Sequence, residues 1–91
     1  MTTLHMEVES ARGTQNTITN TESQLSSLLQ SMTSNVNGLQ PAWLGNSATE
    51  FFNDYEQWRS QMNNLLESLS TMGVRLGNEI SQWEAAAAKL E

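Results

Sequence analysis

Apolar residues recur along the first half of the chain at Leu4, Val8, Ala11, Ile18, Leu25, Leu29, Met32, Val36 and Leu39, with Gln15 and Glu22 filling two gaps. Every step is three or four residues, the a/d pattern of an amphipathic helix rather than the two-residue alternation of a strand. It predicts a first helix over about residues 4–37, roughly 50 Å long. A second series runs Ala48, Phe51, Tyr55, Trp58, Met62, Leu65, Leu69, Met72, Leu76, Ile80, Trp83, Ala87 and Leu90. It predicts a second helix over about 47–88. One step is irregular, since Leu76 to Ile80 is four where three was due, so the C-terminal third of this helix is expected to drift off the seam or straighten.

Between the two series, residues 38–46 hold the one concentration of Gly and Pro. Gly38 suits a left-handed C-cap, Pro41 disfavours helix at Gln40, and Ser47-Ala48-Thr49-Glu50 matches a capping box. So short a connection predicts an antiparallel helical hairpin, an all-α fold, in one domain spanning residues 1–91. With the turn near residue 43, residues whose numbers sum to roughly 87 should face each other. Ile18 then meets Leu69, Leu25 meets Met62, and Gly73 and Gly77 fall opposite Ala11 and Thr14. Two readings of that glycine pair stay open, close helix approach and a fraying end. Two also stay open for Gln15 and Glu22, which either fix the register of the seam or face water where it widens.

A hairpin buries one stripe per helix, a small apolar gain against the entropy of ordering the backbone. Leu28, Phe52, Leu66 and Val74 lie outside the main seams, so the apolar face is wider than a two-helix contact requires. Pairing into a dimeric four-helix bundle would cover it, with packing by Ile18, Leu25, Leu28, Leu29, Met32, Phe51, Phe52, Tyr55, Trp58, Met62, Leu66 and Leu69. Scattered surface hydrophobes are the competing explanation.

Composition narrows the function. Four Lys/Arg against ten Asp/Glu give a net charge of −6, the wrong sign for a nucleic-acid surface. There is no cysteine and a single histidine, His5, which with Glu9 makes two metal ligands at most; no cofactor is expected. Eleven serines have no base available except that histidine, and a thin hairpin offers no catalytic pocket, so no enzyme is expected. Residues 1–10 have no basic start and no long apolar run, and no stretch approaches the roughly 20 apolar residues of a membrane span. Neither a Sec-type leader nor stable membrane insertion is expected.

Trp43-Leu44-Gly45 sits in the turn, followed by small Ala48 and the aromatic run Phe51, Phe52, Tyr55 and Trp58. Together with the length and the absence of cysteine, this resembles the WXG (Trp-X-Gly) family over the whole chain. The resemblance implies a helical-hairpin homodimer, or a heterodimer with a related family member, similar to early secreted antigens of mycobacteria. It implies export by the translocase of a bacterial type VII (ESX) secretion system, without a signal peptide and from a cytoplasmic pool. It also implies that Trp43, Leu44 and Gly45 form half of a bipartite export signal completed by the partner's tail. In physical terms, Trp43 can equally serve as a turn plug, and Gly45 as the residue that lets the chain reverse.

The tail departs from the family pattern of a tyrosine followed four positions later by an acid. Tyr55 has Arg59 at that position, and Trp83 has Ala87. A partner supplies that signal, or it has diverged, or this chain is not the recognised subunit. A different class of function fits the same wide apolar face: a cytoplasmic helical adaptor docking an amphipathic helix of a larger protein.

Overall fold

The computed structural model describes residues 6–89. Helix α1 spans Val8–Leu39 and helix α2 spans Asn46–Lys89, joined through a 3-10 turn at Gln40–Ala42. The two pack as an antiparallel all-α hairpin measuring 69 × 21 × 16 Å. At ~1.5 Å per residue the 44 residues of α2 account for the long dimension. Leu4 and Leu90, placed on the seams by sequence, and His5, weighed as a metal ligand with Glu9, lie outside the described residues.

Helix α1 opens on Glu7, whose extended backbone presents its carbonyl to the Ala11 N–H at 2.9 Å, and Glu9 lies favourably in the positive first turn. Its end differs from the expectation. Gly38 is not a left-handed cap: the helix runs through it to Leu39, and Gln40 keeps helical angles (φ −52°, ψ −47°) despite the proline after it. The Gln40 N–H bonds to the Asn37 carbonyl, tightening the helix into a 3-10 turn whose first positions tolerate Pro41, which has no N–H to lose. The chain instead reverses one step later, where Trp43 is extended and Gly45 takes φ 120°, the one positive φ among the described residues.

Helix α2 also begins earlier than predicted, at Asn46. The Gly45 carbonyl accepts both the Thr49 N–H at 3.1 Å and the Thr49 hydroxyl at 3.2 Å. Ser47 is therefore already inside the first turn, and among the described residues the reciprocal Ser47–Glu50 bonds of a capping box do not form.

The seam on α2 is not the one the sequence series named. Its inward residues are Ala48, Phe52, Tyr55, Arg59, Met62, Leu66, Leu69, Gly73, Leu76, Ile80 and Trp83, each buried or half-buried. These steps alternate four and three without interruption. The predicted skip at Leu76 disappears, and with it the reason for the helix to leave the seam; Ile80 is among the most buried side chains. Phe51, Trp58, Leu65 and Met72, assigned inward by hydrophobicity, face outward instead.

Contacts across the hairpin run later along α2 than a sum of 87 predicts. Thr33 bonds Tyr55, giving 88, and Ile18 packs against Gly73, giving 91, rather than against Leu69. Gln15 faces Gly73 and Gly77 where Ala11 and Thr14 were expected. The offset has a geometric cause. Helical side chains lean toward their own N-terminus, so in an antiparallel pair α1 side chains lean away from the turn and α2 side chains lean toward it. Both tilts raise the sum.

Candidate functional site: the turn and the outer face

The turn is organised by an aromatic triad. The Trp43 ring lies 5.4 Å from Phe51 and 5.8 Å from Phe52, themselves 5.5 Å apart, in the tilted and edge-on arrangements aromatic quadrupoles favour. Trp43 is half-buried over the first turns of α2, with the buried methyl of Ala48 close by in the same shallow groove. The extended backbone at Trp43 and the glycine at position 45 leave Leu44 between them with no cover, 84% exposed. The motif thus splits into an anchored indole, a permissive glycine and a projecting leucine.

Below the turn, Tyr55 is the pivot of the hairpin. Its hydroxyl lies 2.6 Å from that of Thr33 on α1, a bond made where both groups are shielded from water, and its ring sits 5.7 Å from Trp58. Thr33 holds the seam position the sequence gives to Met32, which is exposed. One turn on, Arg59 enters the seam as a half-buried cation paired with Glu56 at 2.7 Å. The bond to that carboxylate, and its charge, raise the guanidinium pKa above an already high ordinary value, so Arg59 stays charged at every accessible pH. Its buried Nε has no hydrogen-bond partner.

The outward face of α2 carries Phe51, Trp58, Leu65 and Met72, seven residues apart and 40%, 38%, 60% and 56% exposed. On α1, Leu28, Met32 and Leu39 are exposed as well. Leu25, Leu28, Leu29, Met32, Trp58 and Met62 line one open, largely apolar hollow of about 450 Å³, so the two helices present a common face. Leu25 and Met62, expected to face each other, both line this hollow. Leu29, Leu66 and Leu69 belong to the inner seam, as does Phe52. Phe52 and Leu66 were predicted to form the second, outer stripe; that stripe runs one residue earlier, through Phe51 and Leu65, and Val74 lies off it. The misplaced stripe had a sequence signal: choosing 52, 59, 66 and 73 for the interior removes the irregular step.

Among the described residues, no group of three His, Cys, Asp or Glu is placed to hold a metal ion, and no helix is long and apolar enough to cross a membrane. No curated protein and no solved structure matches the chain. The model of the WXG100 family, described as proteins of 100 residues with WXG, matches residues 3–86, taking in both helices' paired length and the Trp43-Leu44-Gly45 turn. The chain therefore belongs to the WXG100 family, non-enzymatic helical-hairpin proteins secreted by ESX machinery.

Proposed function

We propose that this chain is a substrate or export partner of a type VII (ESX) translocase, and that it works by dimerisation and protein recognition. The observation that carries the proposal is the turn. Trp43 and Gly45 are committed to holding its shape, and Leu44 projects at the end of a rod 69 Å long. A tip of this kind can be presented to a machine while the rest of the molecule stays folded. The outer face supports the dimeric part. Its exposed apolar residues are regularly spaced and span two helices, as those of a half-bundle are. Dimerisation into a four-helix bundle covers them, either with itself or with a related family member.

The test is appearance of the protein in culture supernatant of the native bacterium with and without the secretion ATPase. Export that requires the ATPase supports the proposal. Retention in the cell under secreting conditions, or release that ignores the ATPase, rejects it.

A further inference from the structure

We propose that the polar side of the hairpin is a docking groove for an extended segment of another protein, one that brings a carboxylate side chain to Arg59 and, farther along, a cation to Glu22 and Glu67. This goes beyond the dimeric reading, because the groove and the apolar hollow lie on opposite sides of the seam. Both touch Leu29. From there Leu28 and Met32 turn to the hollow and Gln30 and Ser34 to the groove, and on α2 the same divide separates Trp58 and Met62 from Arg59 and Asn63. A partner covering the hollow leaves the groove open.

The groove is built of polar groups without partners. Gln30 and Ser34 stand one turn apart on α1, and Arg59 and Asn63 one turn apart on α2, around an open space of about 420 Å³. Among the described residues, the side chains of Gln30, Ser34 and Asn63 make no hydrogen bond, whereas the Thr33 hydroxyl is taken by Tyr55. Two amides and a hydroxyl can serve the bare N–H and C=O groups of an extended backbone. At Gln30 the space continues along α1 into a second hollow of about 340 Å³, where Glu22, Ser23 and Ser26 lie.

Charge gives the groove a direction. Residues 23–49 carry no charge, so along this side of α1 the first charged group below the turn is Glu22. Glu67 is level with it across the seam: their sum, 89, falls between those of the Thr33–Tyr55 and Ile18–Gly73 contacts. Neither acid has an ion-pair partner among the described residues. Arg59 lies about two turns of α2 nearer the hairpin turn, roughly 12 Å away. Its Nη2 donates to Glu56 at 2.7 Å, while its Nη1 makes no hydrogen bond among the described residues and its buried Nε has no partner. A half-buried guanidinium with donors unused is unfavourable for the lone hairpin, and a second carboxylate at Nη1 makes the charge-assisted bond it lacks. Four residues of extended chain span about 13 Å, so an acid and a base at positions i and i+4 reach both ends.

The experiment titrates the isotope-labelled full chain with the capped heptapeptide Ser-Glu-Ser-Gly-Ser-Lys-Ser and follows it by NMR. Expected are saturating shifts of the Gln30 and Asn63 side-chain amides and of the Arg59 Nε–H, with a Kd of about 1 mM or below. Replacing the peptide's Glu by Gln, or Arg59→Gln in the protein, should weaken binding about tenfold, and Glu56→Gln, which frees Nη2, should tighten it about threefold. No gain from Glu56→Gln marks the Arg59–Glu56 pair as purely structural and overturns the role of Arg59. Asn63→Leu, on the exposed rim, should weaken binding about threefold with helix content unchanged by circular dichroism, and it carries the test if Arg59→Gln alters the fold. Equal binding of a peptide with both charges replaced by Gln, or with Glu and Lys adjacent, overturns the charge match. Absence of saturating shifts up to about 10 mM peptide overturns the groove itself. Inorganic phosphate that moves the same signals as far as the peptide does marks a bare anion site and overturns the docked segment.

Discussion

Gln15 occupies the space that a side chain at Gly77 would need. A Cβ built there would stand 2.5 Å from the Gln15 amide nitrogen, the atom that donates to the Gly73 carbonyl at 3.4 Å. The glycine pair is therefore a close-approach site, and Gln15 is a seam residue that uses the exposed backbone of α2. Gly77→Ala should gain about 1 kcal/mol of helix propensity and lose about as much by displacing that hydrogen bond. Little net change is expected in the wild-type background. In a Gln15→Ala background the same substitution should stabilise by about 1 kcal/mol. Urea unfolding at one fixed protein concentration measures the difference; equal effects in both backgrounds would place Gln15 in solvent.

The Thr33–Tyr55 bond gives a second cycle, at the other end of the seam. Tyr55→Phe leaves the Thr33 hydroxyl half-buried without its partner and should cost about 1 kcal/mol. Thr33→Val should cost a similar amount by stranding the tyrosine. The double variant leaves neither group unsatisfied and is expected to cost less than the two singles combined. Strict additivity in denaturant titrations would mean the hydroxyls do not depend on each other.

The helices and their turn were legible in the sequence because they follow from local chemistry: the periodicity of apolar residues, and Pro41 and Gly45 in the break between the two series, although α1 runs on through Gly38. The assignment of faces was not. At 51/52, 58/59, 65/66 and 72/73 the chain offers two adjacent residues for one inward position, and hydrophobicity favours Trp58 over Arg59 and Met72 over Gly73. The fold chooses the other member each time. Gly73 brings Ile18 to 3.3 Å from where its Cβ would be, a tight approach that methionine at this point would prevent. Arg59 brings its own counter-ion, Glu56, one turn away. A helix with two apolar stripes one residue apart has two neighbours to satisfy, and only one of them is in the same chain.

Gly45 and Leu44 separate the shape of the turn from what it displays. The φ of 120° at Gly45 is outside the range open to residues with a Cβ, so Gly45→Ala should destabilise the hairpin by about 1–3 kcal/mol although nothing lies near the added methyl. Leu44→Ala removes an uncovered side chain and should leave stability within about 0.5 kcal/mol. Thermal unfolding distinguishes them directly. A destabilising Leu44→Ala would show that the leucine is covered in the folded protein, by a partner or by the turn itself.

Trp43 bears on both roles, and two substitutions divide them. Trp43→Ala takes the indole out of the triad with Phe51 and Phe52, and a half-buried aromatic of this size should be worth about 1–3 kcal/mol. Loss of export in that variant would be ambiguous, because an unravelled turn cannot present Leu44. Trp43→Phe keeps an aromatic ring over the same neighbours and should cost under about 1 kcal/mol. If the translocase reads the indole, export of Trp43→Phe falls while its unfolding midpoint barely moves. If Trp43 only anchors the turn, export follows stability: Trp43→Phe is secreted normally, and Trp43→Ala regains secretion when a stabilising second substitution restores the fold. Gly13→Ala is a suitable second change, because this helical glycine of α1 has nothing within 4 Å of an added methyl, should gain about 1 kcal/mol, and lies at the opposite end of the hairpin from the turn and the aromatic triad.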